Sequence, residues 1–217
     1  SIVIHPDDAM IARQIEAEGY ELSRQSGDQL FRFTVLGLRT ALGNLGLLDN
    51  KHIPTIYLRS SIRQRLALLR GLMDTDGTCT RQGECRFTNR NERLASDVAE
   101  LVTSLGILPH LRKVMVAGQP HYIVSYKAYA DKPVFGLLRK AIRQRQVPDA
   151  RAGHRYIVAI NPVESRPVRC ISVDSPSHLY LVTRGMIPTH NTKRDQAKIC
   201  WGEAVRMVKA SPALAKM

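Results

Sequence analysis

The feature that most constrains this chain is an order of elements that occurs twice. From Thr78 the sequence reads as a hairpin to Thr88 turning at Gln82-Gly83, then an amphipathic helix from Glu92 to Leu105 stopped by Gly106. A second hairpin around Gly118 joins Leu111–Val116 to Tyr122–Tyr126, and a helix is predicted from Pro133 to about Gln146. Residues 1–46 repeat this order from its middle onward. A short strand stops at Pro6, a helix opens at Asp7 and Asp8 and closes at Gly19, and a hairpin turns around Ser26-Gly27-Asp28. Val35, Leu38, Leu42 and Leu45 then fall at helical spacing before Gly46. The first unit therefore reads as a repeat whose opening helix and first strand are missing.

The second unit has such an opening helix, over Ser61 to Gly77. Leu66, Leu69, Leu72 and Met73 make one apolar stripe, with Gly71 inside it where a second helix could approach closely. Gly71 costs roughly 1 kcal/mol against Ala, which calls for a packing reason. Asp74 and Asp76 stand at the negative end of the helix, where each carboxylate is unfavourable by about 0.3–1 kcal/mol unless a cation compensates. Either a divalent cation does so, or Asp74 caps the helix and Asp76 begins a turn with Gly77.

A net charge of +13 favours an anionic partner, and nucleic acid comes before membrane because no basic amphipathic or long apolar segment is present. Between 132 and 155 the bases Lys132, Arg139, Lys140, Arg143, Arg145, Arg151 and Arg155 face a single acid, Asp149. That stretch is either a basic linker or a phosphate-contacting surface. Cys79, Cys85, Cys170 and Cys200 have no CxxC spacing, which argues against a structural metal or a disulfide framework and fits a reducing, cytoplasmic location. The chain begins at Ser1 with no signal peptide, so it reads as a piece of something longer.

Beyond the basic stretch the pattern changes to short β-rich runs at Tyr156–Ile160, Val168–Val173 and Leu179–Val182, separated by Pro-containing turns. These lead to Thr189-His190-Asn191-Thr192. The Asn191 side-chain amide can attack its own carbonyl carbon, closing a succinimide and breaking the chain before Thr192. His190 could protonate the leaving amine or polarise the carbonyl, and the Thr192 hydroxyl could first receive an acyl group. After Thr192, Ala197, Trp201, Ala204, Val205 and Val208 are spaced as one helix face.

Leu69-Arg70-Gly71-Leu72-Met73-Asp74-Thr75-Asp76-Gly77 resembles the LAGLIDADG motif of the dodecapeptide (DOD-type) homing endonucleases. The resemblance implies an α+β fold of repeats (α-ββ-α-ββ-α, the first truncated), double-stranded DNA as partner, and Mg2+ or Mn2+ as cofactor. It implies metal binding at Asp76 and Gly77, with Asp76 the catalytic carboxylate, because phosphodiester hydrolysis needs charge neutralisation and a lowered water pKa. Lys51-His52-Ile53-Pro54 looks like the segment that ends a first repeat with an active-site lysine, Lys51. Lys140 is the expected counterpart in the second repeat, with Arg143 and Lys127 as rivals. The strands after each motif supply groove contacts: Arg86, Thr88 and Arg90 from one face, Ser125 and Lys127 from another, with Arg139 and Arg143 from the basic stretch.

Val168 to Asp174, His178 to Val182 and Thr189 to Thr192 together resemble the C-terminal blocks of an intein splicing (Hint) domain. Cys170 where most inteins have Asp, and Thr189 before the His-Asn pair, look like the class 3 inteins. That resemblance implies attack by the Cys170 thiolate on the N-terminal junction, acyl transfer to Thr192, Asn191 cyclisation helped by His190, and assistance from His178. Residues 192–217 resemble the start of a C-extein from a phage terminase large subunit. The expected organisation is thus 1–55 as the remainder of a first repeat, 56–148 as the second, 149–191 as the C-terminal part of the Hint domain, and 192–217 as extein. The upstream intein segment and the exteins would be partners, and the 217 residues alone are expected neither to splice nor to cleave DNA. A non-cleaving DNA-binding module of the same fold, or a degenerate intein remnant, are the alternatives.

Overall fold

A computed structural model describes residues 2–24, 31–146, 159, 161–167, 169–191, 202 and 206. The chain divides into two compact units, Ser1–Tyr156 and Ile157–Met217.

The first unit is built on two antiparallel sheets. Strand β1 (Ile2–Ile4) leads through a 3-10 turn at Pro6–Asp8 into helix α1 (Met10–Ala17), then β2 (Leu22–Arg24), β3 (Phe31–Val35) and α2 (Leu38–Asn44). A short helix α3 (Thr55–Leu58) precedes α4 (Ile62–Thr75), followed by β4 (Gly77–Cys79), β5 (Glu84–Asn89), α5 (Glu92–Ser104), β6 (His110–Val116), β7 (Gln119–Lys127) and α6 (Leu138–Ala141). The strand orders are β1-β3-β2 in the first sheet and β4-β5-β7-β6 in the second. Order β1-β3-β2 is β5-β7-β6 over again, and each starts a strand, helix, hairpin sequence. The four-stranded sheet has β4, and α4 before it, in addition.

Helix α4 starts at a capping box in which the Ser61 hydroxyl accepts from Gln64 N and the Gln64 side chain accepts from Ser61 N. Its stripe buries Leu69 and Met73 completely, with Leu66, Leu68 and Leu72 packed against the core from partly buried positions. Helix α5 begins at Asn91, whose side chain accepts from Leu94 N at 3.1 Å. It buries Leu94, Ala95, Val98, Leu101 and Val102, a one-faced i, i+3, i+4, i+7, i+8 pattern. Both helices lie against the sheet face formed by Cys85, Phe87, Tyr122, Val124 and Tyr126, where burying each large side chain contributes about 1.5–3 kcal/mol. Arg65 of α4 ties the two together, donating to Ser104 O at the end of α5 at 2.7 Å.

The helix expected from Pro133 to Gln146 is mostly not formed. Residues 133–135 have no regular structure, Gly136 and Leu137 bend, and only the four residues of α6 are helical. The cause is long-range: Asp74 accepts hydrogen bonds from the backbone N–H of Gly136 (3.0 and 3.1 Å) and Leu137 (3.0 Å), which holds these residues at a helix start. A Cβ at residue 136 would stand 2.8 Å from Asp74 Oδ2, so the approach needs glycine.

In the second unit the described residues contain one ladder, β8 (Tyr180–Val182) paired antiparallel with β9 (Ile187–Thr189). The run expected as a strand at Val168–Val173 has no strand at residues 169–173, and β9 was not expected. The expected strand at Tyr156–Ile160 lies outside the described residues apart from Ala159. Residues 202 and 206 are helical, the rest of the helix expected after Thr192 also lying outside them. No helix among the described residues is long and apolar enough to cross a membrane.

Candidate functional site

The end of α4 carries the first candidate site. Asp76 is the residue that closes the helix, with its N–H bonded to Leu72 O at 3.0 Å and its side chain exposed. Gly77, by contrast, is buried, and a Cβ there would lie 2.6 Å from the Met73 backbone. Helix and strand therefore pass within contact distance where they meet, which aims Asp76 outward from a rigid corner.

Lys140 has a different place from the catalytic one expected of it. It is buried, and its ammonium donates to Met73 O (2.9 Å), Asp74 O (2.6 Å) and Gly77 O (2.7 Å), which uses all three of its protons. The cation that compensates the negative end of α4 is thus this side chain. Burial, followed by the neighbouring Arg139 charge, holds the Lys140 pKa below the usual lysine range. Gly77, expected as a metal-binding position, has its carbonyl engaged by that ammonium, and a second cation there would meet like charge. No cluster of three or more His, Cys, Asp or Glu side chains able to hold a metal occurs among the described residues. Asp76 alone offers an exposed carboxylate at the helix end, which suits Mg2+, an ion commonly held by one or two protein carboxylates together with substrate phosphates.

Arg139 is likewise committed within the fold. It forms a two-pronged ion pair with the buried Asp8, Nε to Oδ1 at 2.8 Å and Nη2 to Oδ2 at 2.5 Å, joining the end of the second repeat to the 3-10 turn of the first. That hydrogen bond pulls the Asp8 pKa below its ordinary value. Arg143 Nη1 reaches Cys79 O at 3.3 Å. Lys51 is exposed; its carbonyl accepts from Asn91 Nδ2 at 2.9 Å, and the next residue but one, Ile53, is buried with its N–H on Asp97. The Lys51-His52-Ile53-Pro54 segment is thereby fastened to the start of α5.

The second sheet turns its other face away from the core. Register pairs Glu84 with Lys127, Arg86 with Ser125 and Thr88 with Ile123, so the two groups expected on separate faces share one. Strand β6 adds His110 opposite Ser125 and Arg112 opposite Ile123, neither singled out from the sequence. Glu84 forms an ion pair with Arg86 along its own strand, Nε to Oε2 at 2.6 Å, and so fixes the direction of that guanidinium. Arg90 lies past the end of β5, with Nε 3.4 Å from His121 Nε2. The open face therefore combines bases, hydroxyls and imidazoles on a twisted antiparallel surface, the chemistry of phosphate and base-edge contact.

Beside α4 lies an apolar groove of about 360 Å3 lined by Ile2, Ile11, Ile15, Val35 and Leu38 of the first repeat and by Gly71, Asp74 and Thr75. Gly71 has no atom within 4 Å of where a Cβ would stand, so among the described residues no helix makes the close approach expected there.

In the second unit a cleft of about 460 Å3 gathers Cys170, Ile171, Ser172, Val173, Ser177, His178, His190 and Asn191. Four residues singled out from the sequence thus line one space. Cys170 is a free, exposed thiol. His178 sits in the left-handed region, φ 52°, with its N–H on Ser175 O at 2.8 Å, a conformation uncommon outside glycine. His190 Nδ1 is 2.9 Å from Asn191 O, the carbonyl whose carbon the Asn191 amide would attack. Thr189 is paired with Tyr180 in the ladder, and Thr192 lies outside the described residues.

Residues 63–132 match the family model described as a LAGLIDADG-like domain. Among curated proteins, a replicative DNA helicase DnaB from Mycobacterium intracellulare is 46% identical over 167 residues, 73% of this chain and 29% of that protein. A DnaB from Mycobacterium leprae is 56% identical over 36 residues, 17% of this chain and 6% of its own length. The chain therefore spans less than a third of these relatives. Among solved structures, mesophilic variants of the homing endonuclease I-DmoI align at TM-score 0.43 and 16% identity, covering 65% of this chain and 74% of theirs. I-DmoI in complex with DNA and Ca aligns at TM-score 0.43 and 15% identity, covering 58% and 66%. The complex with DNA and Mn gives 0.42 and 14%, covering 65% and 78%. The stretch that matches the LAGLIDADG-like domain model runs from α4 through β7 and the loop that follows it.

Proposed function

We propose that the chain is part of an intein bearing a homing endonuclease, one unit cutting double-stranded DNA with a divalent cation and the other taking part in protein splicing. The nuclease reading is carried by Asp76, an exposed carboxylate at the end of helix α4, in a domain whose sheet presents an open face with Arg86, Arg112 and Lys127. A divalent cation, when bound, supplies charge neutralisation at phosphate and a lowered pKa for coordinated water. Asp76 would hold it, the sheet face would hold the DNA, and Lys51 would supply the basic group left free by Lys140. The apolar groove beside Gly71 has the lining that a helix preceding β1 would need, and the shared strand order of the two sheets supports that occupant. Mg2+ or Mn2+ would serve.

The splicing reading rests on the cleft in which Cys170, His178, His190 and Asn191 meet. Cys170 would attack the upstream junction, Thr192 would take the acyl group, and Asn191 would cyclise. A LAGLIDADG-like domain in a segment 46% identical to part of a helicase chain is the pattern an element inserted in such a host would produce. A helicase host stands here beside the terminase-like reading of residues 192–217, and the flanking gene sequence decides between them.

The test is expression of the complete gene product. Mg2+-dependent double-strand cleavage of the uninterrupted host gene is expected, abolished by Asp76→Asn, together with ligated exteins lost on Cys170→Ala. Cleavage that persists in Asp76→Asn would overturn the nuclease assignment, and ligation in Cys170→Ala the splicing one.

A further inference from the structure

Asn191 is held by more than the residues assigned to its chemistry. Its Oδ1 accepts from the hydroxyl of Tyr180 at 3.1 Å and from the backbone N–H of Ile171 at 3.4 Å, while its Nδ2 donates to Ile171 O. The side-chain amide is thus docked against the peptide that follows Cys170, where a strand partner was expected. Tyr180 reaches it because the β8–β9 register sets Tyr180 opposite Thr189, two residues before Asn191. On the far side His190 Nδ1, when it carries the proton, donates to Asn191 O.

We propose that Tyr180 is a positioning residue for the cyclisation of Asn191, an inference that rests on the splicing reading above. In that step a bond forms between Asn191 Nδ2 and the Asn191 carbonyl carbon, and the bond from that carbon to the Thr192 nitrogen breaks. Nδ2 loses one proton and the departing amine gains one, leaving a C-terminal succinimide and a free Thr192 amino group. A carboxamide nitrogen is a poor nucleophile because its lone pair is delocalised, and it becomes competent as its proton is withdrawn. Two donors on Oδ1 stabilise the charge that then develops on the amide oxygen, and the Ile171 carbonyl holds the Nδ2 proton in a fixed direction. Tyr180 supplies the one of these contacts that a side-chain substitution can remove. Because Ile171 is the neighbour of Cys170, the same short segment carries the first nucleophile and grips the last one.

The test uses the complete precursor with tagged exteins and reads its two half-reactions separately. These are thiol-induced cleavage at the upstream junction, which depends on Cys170, and release of the Thr192 fragment, which depends on Asn191. Tyr180→Phe is expected to slow fragment release roughly 2- to 10-fold, the worth of one neutral hydrogen bond, with branched intermediate accumulating and thiol-induced cleavage unchanged. Release at the unmutated rate or faster overturns the inference, and so does equal slowing of both half-reactions, which would mark general damage to the unit. An unmutated precursor that gives no Asn191-dependent cleavage overturns the splicing reading itself, and the inference with it.

Discussion

Replacing Lys140 by Met tests whether the end of α4 is held as described. The substitution keeps the length and apolar body of the side chain and removes an ammonium bonded to three backbone carbonyls, those of Met73, Asp74 and Gly77. A hydrogen bond to a charged group is worth about 1.5–3 kcal/mol, so three would sum to well above 4 kcal/mol without the cost of burying the charge. That cost is real here, since burial already lowers the Lys140 pKa. The variant removes the cost too, but leaves buried carbonyls without their donor. Removing one partner from such a buried network typically costs about 3–5 kcal/mol, which for a unit of this size lowers the melting temperature by roughly 6–20 °C. Lys140→Arg should not restore it, because a planar guanidinium cannot converge on three carbonyls around one point. Thermal and urea unfolding of the chain followed by circular dichroism measures both. A loss below about 1 kcal/mol for Lys140→Met, the size expected of an exposed active-site lysine, would refute the capping role.

Gly77→Ala should destabilise the chain by roughly 1–3 kcal/mol or more, because the new methyl would lie 2.6 Å from the Met73 backbone and neither strand nor helix can yield alone; a neutral effect in urea titration would contradict the close approach. The Asp8–Arg139 pair predicts a pH dependence with a definite sign. The Asp8 carboxyl is pulled below its ordinary value of 3.8, so its stabilisation is present above that pH and is lost as pH falls through the lowered folded-state value. Asp8→Asn should therefore cost roughly 1–2 kcal/mol near neutrality, discounted for the half-exposed Arg139, and the two urea curves should converge in acid. A gap between them that stays constant down to the lowest pH would disprove the linkage.

The sequence made the local parts of this fold readable. Turn glycines at Gly83 and Gly118 marked both hairpins of the second repeat, and the apolar spacing of α4 named Leu69 and Met73, which the core buries, beside the partly buried Leu66 and Leu72. Periodicity is silent about partners far along the chain, and the departures at residues 133–140 came from such partners. The helix expected after Pro133 is cut short because Asp74 claims Gly136 and Leu137. Lys140 and Arg139, basic residues in a basic stretch, are taken up by backbone carbonyls and by Asp8. Strand register, which alternation alone leaves open, brings Arg86 and Ser125 onto one face and adds Arg112 to them. In the second unit Cys170, His178, His190 and Asn191 were singled out from the sequence and line one cleft, whereas the hydrogen bond from Tyr180 to Asn191 was not legible, since it depends on the β8–β9 pairing.

The mutual grip between Asp74 and the Gly136–Leu137 bend, and between Lys140 and the end of α4, joins residues more than sixty positions apart. Contacts of such sequence separation bear the entropy of closing a long loop and form late, after the hairpins and α5 between them have been laid down. Helix α4 starts at its own capping box, whereas its last turn, the one that carries Asp76, is held by residues more than sixty positions further along. A chain that has not closed these contacts would carry Asp76 at a helix end that neither Lys140 nor the Gly136–Leu137 bend holds. The aim of the Asp76 carboxylate is thereby tied to closure between segments that lie far apart in the chain.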